Sequence, residues 1–116
     1  MADLYTSNLI IYSGTDFEQS FVFEETSSNS LKDFTGYTGC AQMRRYESSS
    51  SKAADFTVTF ATDRTSGKVT VGLGTTVTTD LKAGKYFYDL LLSAPTGLTE
   101  KGVQGTAIVK KSVTRI

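Results

Sequence analysis

The 116-residue chain has no histidine and no tryptophan, a single cysteine, Cys40, and a single proline, Pro95. Each shortage excludes something. One cysteine cannot form an internal disulfide, and without histidine the Cys/His zinc sets are gone, so no metal or other cofactor is expected and stability must come from packing. The usual general base at neutral pH is missing too, which leaves Cys40 without the partner that activates a nucleophile. No enzyme is expected, and Cys40 reads as a small core residue. Twelve Lys and Arg balance twelve Asp and Glu, so there is no net basic field to hold nucleic acid or an anionic membrane. No apolar run approaches the length of a membrane span, and "MADLYTSNL" lacks the basic and apolar regions of a signal peptide. The protein is expected to be soluble and not exported by that route.

What is present is the composition of strands and turns. Ser and Thr supply 31 residues, and the aromatics are six Tyr and seven Phe. The length suits one domain with one core. In "DFEQSFVFE", Phe17, Gln19, Phe21 and Phe23 share a face opposite Glu18, Ser20, Val22 and Glu24. "CAQMRRY" sets Ala41 and Met43 against Gln42 and Arg44, and "DFTVTF" sets Phe56, Val58 and Phe60 against Thr57 and Thr59. "ATDRTSG" turns the chain into "KVTVGLG", a hairpin. "TTVTTDLKAG" has no period of two and leaves room for one short helical turn. "KYFYDLLL" is apolar on both faces apart from Asp89, which suits a central strand covered on both sides, and "SAPTG" hands it to a last strand in "GVQGTAIVKKSV". "ETSSNS" reads as a polar loop, and Ser48 to Ser51 as an exposed one. The expected fold is all-β: an immunoglobulin-like antiparallel β-sandwich of about seven strands. Residues 1–9 form an N-terminal arm and residues 10–116 the single sandwich domain.

"DLKAGKYFYDLLLSAPTG" places Tyr86, Tyr88 and Asp89 almost together, as in an acid/base site or a ligand clamp. Period-two geometry separates them: Tyr86, Tyr88 and Leu90 face one way, and Phe87, Asp89 and Leu91 the other. The spacing of Leu81, Gly84 and Tyr86 matches a tyrosine corner, in which the ring fills core and the hydroxyl satisfies a buried carbonyl of the preceding connection. Those three residues are therefore assigned to structure. Asp89 is expected to pair with a cation on a neighbouring strand, Arg44 being a plausible partner.

Other candidates are weaker. Asp16, Glu18, Glu24 and Glu25 are scattered by strand alternation and follow no calcium-loop pattern. "GLG" at 72–74 is too short for a phosphate loop and precedes no helical pattern. Arg44 and Arg45 face opposite ways. Charge is unevenly spread: residues 1–58 carry eight acids and four bases, residues 59–116 four acids and eight bases. Interleaving of the halves in one sandwich would cancel that difference; otherwise it favours head-to-tail contact between copies.

The ordered set "IYSGTDFEQSFVFE", "KDFTGYTGCAQMR", "TSGKVTVGL", "DLKAGKYFYDLLLSAPTG" and "VQGTAIVKKSVTR" resembles small virion structural proteins of tailed bacteriophages, similar to the immunoglobulin-like amino-terminal domain of phage baseplate upper proteins. It spans nearly the whole chain, with Phe34 where leucine is usual in the turn. Baseplate upper proteins continue past such a domain, so the resemblance implies a stand-alone building block of the virion, made in the cytoplasm of the bacterial host. It would bind other virion structural proteins in the tail, baseplate, neck or as a capsid decoration, in multiple copies per particle. Leu4, Tyr5, Leu9 and Ile10 are more apolar than a free tail requires, and Lys110, Lys111 and Arg115 follow the last strand, so these residues are the candidate partner contacts. The arm either adds a strand to a neighbour or folds back as an edge strand of its own sandwich. The alternative function is a host-surface or glycan-binding module, with the tyrosines and the Ser-rich loop as its contact surface.

Overall fold

The computed structural model describes residues 5–24 and 31–114; Leu4, Arg115, Glu25 and the "ETSSNS" segment lie outside them. The elements are β1 (Tyr5–Thr6), β2 (Leu9–Tyr12), β3 (Phe17–Val22), β4 (Thr38–Arg44), β5 (Ala54–Phe60), β6 (Lys68–Leu73), α1 (Thr75–Asp80), β7 (Gly84–Ser93) and β8 (Thr99–Lys110). A single helical turn of 3-10 type at Arg64–Ser66 ends in Gly67, and α1 is six residues long. Thr78, the one buried residue of α1, ties the helix to the β2–β3 turn by donating to the Thr15 carbonyl and accepting from the Gly14 amide. The "GLG" segment does lead into this short helix, with Gly74 at its N-cap.

The strand order is β1-β8-β7-β4-β5-β6-β3, with β2 also on β8. Two departures from a purely antiparallel sandwich stand out. β1 and β2 run parallel to β8, Tyr5 opposite Val103 and Leu9 opposite Ala107. β5 belongs to both halves: Ala54 and Phe56 face Met43 and Ala41 of β4, whereas Thr57 to Phe60 face Gly72 to Val69 of β6. One strand thus carries the sheet around the core.

That core is the alternating set read from the sequence. Phe21, Met43, Phe56, Val69, Val71 and Leu90 are buried, as are Tyr86 and Tyr88. Burying a side chain of this size is worth about 1.5–3 kcal/mol, which is why register is fixed by which parity points inward. Between Leu90 and Leu91 the β7–β8 register shifts, and Gly102 packs against Leu92 and the Phe23 ring across the core. Parity also corrects one expectation: Cys40 lies between inward positions and is exposed, not a core residue. β3 pairs with β6, β4 with β7, and β2 with β8. The acid-rich and base-rich halves therefore interleave, and the basis for head-to-tail electrostatic contact between copies is removed.

Candidate functional site

Tyr86 is buried and its hydroxyl donates to the Lys82 carbonyl at 2.7 Å. Leu81 packs against the core, and Gly84 has φ of 145°, a backbone conformation that a side chain makes costly. A Cβ there would also collide with the Arg45 guanidinium, which lies 5.2 Å from the Tyr86 ring centroid and donates to the Lys85 carbonyl.

Tyr5, Thr6 and Leu9 of the expected arm are strand residues of the sheet, so the fold-back alternative describes this stretch. Leu9 and Ile11 are buried in the core, and Leu9 is therefore not available as a partner contact. The interruption between β1 and β2 is stitched on both sides. Ser7 donates its amide to the Gln104 carbonyl, and Asn8 accepts from the amide and hydroxyl of Thr106. Gly105 is required by this approach, since a Cβ would run into the Ser7 carbonyl. The same carbonyl accepts from the buried Tyr88 hydroxyl at 2.7 Å. Burial pushes the Tyr88 phenol up to about 12, partly offset by that hydrogen bond.

Because β1 and β2 run parallel to β8, Tyr5 sits beside Val103 while Tyr12 sits beside Lys110. At ~3.3 Å per residue, the two levels are about 23 Å apart along the sheet. Tyr5 and the C-terminal lysines thus do not form one patch. Ile10 does join them. Ile10 and Tyr12 are each 50% exposed on the outer face of β2, beside Ile108 and Lys110, with Lys85 next to Ile108 on β7. Lys110 and Lys111 are exposed, and the chain after them is held by Ser112, which donates to the Ser13 carbonyl.

Further along the same outer face, the surface is polar and concave. Register places Asp55, Gln42, Asp89, Gln104 and Thr6 in one row across β5, β4, β7, β8 and β1. The next row carries Arg44, Phe87 and Thr106. All of these but Asp55 line a concavity of about 510 Å³. Asp89 pairs with Lys101 at 3.5 Å, not with Arg44. Arg44 instead donates to the Gln42 side-chain oxygen at 2.9 Å and to the Ser49 carbonyl at 3.0 Å. Asp55 is held below the usual carboxylate range, chiefly by its hydrogen bond from Lys52. β7 is central, yet its outward Leu91 is exposed and Phe87 half-buried, so the cover expected on both faces is absent among the described residues. The sequence pattern gave the parity of these residues; only the pairing of strands far apart in the chain shows that they form rows. The tyrosines of the alternative contact surface divide: Tyr86 and Tyr88 are core, and Tyr46 is exposed beside the Ser-rich loop.

Among the described residues, no group of three or more His, Cys, Asp or Glu is placed to hold a metal, and no helix is long and apolar enough to cross a membrane. No protein-family model and no curated protein matches the chain. Solved structures do share its fold. The SrpA adhesin of Streptococcus sanguinis superposes with a TM-score of 0.52 at 9% identity, covering 97% of this chain and 56% of the adhesin chain. The chain thus spans little more than half of that structure. A cell-adhesive voltage-gated sodium channel β subunit matches with a TM-score of 0.48 at 10% identity, covering 94% and 93% of the two chains. The sialic acid binding region of the Streptococcus sanguinis SK1 adhesin matches at 0.45 with 16% identity over 92% of this chain and 28% of that one. At such identities the likeness is one of fold. The chain has an all-β, immunoglobulin-like architecture.

Proposed function

We propose that the chain is a non-enzymatic structural protein of a tailed-phage particle that binds other virion proteins. The sequence layout supports the setting, and one structural observation carries the contact. The exposed edge of the sheet joins Ile10 and Tyr12 to Ile108, flanked by Lys85 and Lys110, with Lys111 next along the chain. Apolar side chains set among cations suit a partner surface that is apolar at its centre and acidic at its rim. The β2 backbone at this edge can also accept a strand, because main-chain hydrogen bonds supply affinity while alternate side chains select the partner. The attachment device is then a fixed edge and not a free arm.

Particles assembled with Ile10→Glu test this reading. Ile10 points outward, so the variant folds; the expected result is normal soluble protein and its loss from purified particles, read by quantitative mass spectrometry. Incorporation at the wild-type level overturns the edge as the contact, and absence of the wild-type chain from particles overturns the virion role itself.

A second reading, a host-surface or glycan-binding module, is favoured by the concave polar face. There a ring, two amides and a carboxylate converge on one surface.

A further inference from the structure

We infer that the concave outer face of β4, β7 and β8 is a binding site for a neutral, extended oligosaccharide, with Gln42, Asp89 and Gln104 as its polar ladder and Phe87 as its ring platform. The inference rests on the second reading above and assigns its site.

Three features select this ligand class. First, the ladder has the right chemistry. Vicinal hydroxyls each donate and accept, so they are matched by planar amides, which do both, alternating with a carboxylate that accepts. Gln42, Asp89 and Gln104 follow in that order across adjacent strands; since the Gln42 oxygen accepts from Arg44 and Lys101 lies against Asp89 and the Gln104 oxygen, the amide N–H groups and the remaining lone pairs are what a sugar would meet. Second, the spacing fits. Neighbouring strands lie about 4.8 Å apart, close to the length of one pyranose ring, so a saccharide lying across the strands meets one polar head per ring. Third, Phe87 lines the same concavity one row away, half-buried and with the Lys85 ammonium 5.3 Å from its ring centroid, and what remains open of the ring offers an apolar surface to the C–H face of a sugar at low entropic cost.

Charge decides for a neutral sugar over an anionic one. Both cations that line the concavity already have partners: Arg44 donates to Gln42 and Ser49, and Lys101 lies 3.5 Å from both Asp89 and Gln104; Lys85, beside them on the same face, lies 5.3 Å from the Phe87 ring centroid. Asp89 and the exposed Glu47 line the same concavity, and Asp55 stands opposite Gln42 at its side. An anion would have to displace an existing pair and face like charge.

The test uses the full chain on an array that carries neutral gluco-, manno- and N-acetylglucosamine oligomers beside sialylated and sulfated glycans. Hits are then titrated by amide chemical-shift mapping. The expected result is a neutral oligomer that perturbs residues 42, 87, 89, 104 and 106, with at least tenfold weaker binding for Asp89→Ala and for Gln104→Ala. The two variants are independent outward substitutions, so one serves if the other fails to fold. Binding confined to Tyr46 and Ser48 to Ser51 keeps the glycan reading and overturns this site. Binding of charged glycans alone overturns the ligand class. No binding to any glycan overturns both.

Discussion

The Tyr88 hydroxyl donates to the Ser7 carbonyl at 2.7 Å, joining residues 81 apart in the chain. The bond passes beneath Gly105, which has no side chain to block it, and it locks the β1–β2 junction to the central strand. An N-terminal segment that looks like a tail in the sequence is thereby built into the core.

Removing that hydroxyl is expected to change the response to alkali. The folded state holds the Tyr88 proton more tightly than the unfolded chain, with the pKa pushed from 10.0 to about 12. Its contribution to stability is thus complete below pH 10 and lost as the pH rises through about 12. Tyr88→Phe should lower neutral-pH stability by about 1–3 kcal/mol, since the Ser7 carbonyl loses a partner, and should flatten the fall in denaturation midpoint above pH 10. Parallel pH profiles of the two proteins would contradict the assignment.

At the corner, Tyr86→Phe keeps the ring and removes the bond to Lys82. The expected cost is about 1–3 kcal/mol, with a larger loss for Tyr86→Ala, which also empties core. An unchanged denaturation midpoint for Tyr86→Phe would count against the corner.

Deleting residues 1–8 is expected to destabilise the domain. It removes β1, the Ser7 partner of Tyr88 and the Asn8 bonds to Thr106. One stranded buried hydroxyl alone costs about 1–3 kcal/mol. A truncated protein with wild-type thermal stability would show that these residues are not part of the folded unit.

Ser50 and Ser51 are exposed between β4 and β5. Doubling the loop by Gly-Ser insertion between them should cost roughly 0.6 kcal/mol. The position matters, because Ser49 is tied: it accepts from the Tyr46 amide through its hydroxyl and from Arg44 through its carbonyl. A large loss of stability on insertion after Ser50 would mean that the outer loop is packed as well.

Strand parity and the corner were legible because both are local. Phe56, Val58 and Phe60 alternate without interruption, and Leu81, Gly84 and Tyr86 are close in sequence. The parallel pairing of β2 was not, since Leu9 and Ile11 give only two inward positions and their partner strand lies near the far end of the chain. The dual membership of β5 was hidden for a related reason: alternation is the same whichever sheet a strand serves. Cys40 shows two tendencies in conflict. Cysteine is often buried, but the alternation that turns Ala41 and Met43 inward turns Cys40 out, and parity prevails. The partner of Asp89 depended on a register shift beyond Leu90, which brings Lys101 opposite Leu91 and within reach; no period-two pattern reveals a bulge.

The most direct measurement is a density map of intact particles, resolved well enough to place the domain and count its copies. Expected is a fixed number of copies, each seated on another virion protein through the edge that carries Ile10, Tyr12 and Ile108, with its basic rim over acidic side chains. A particle map with no density for this fold, in a preparation where the chain is made and soluble, would contradict it.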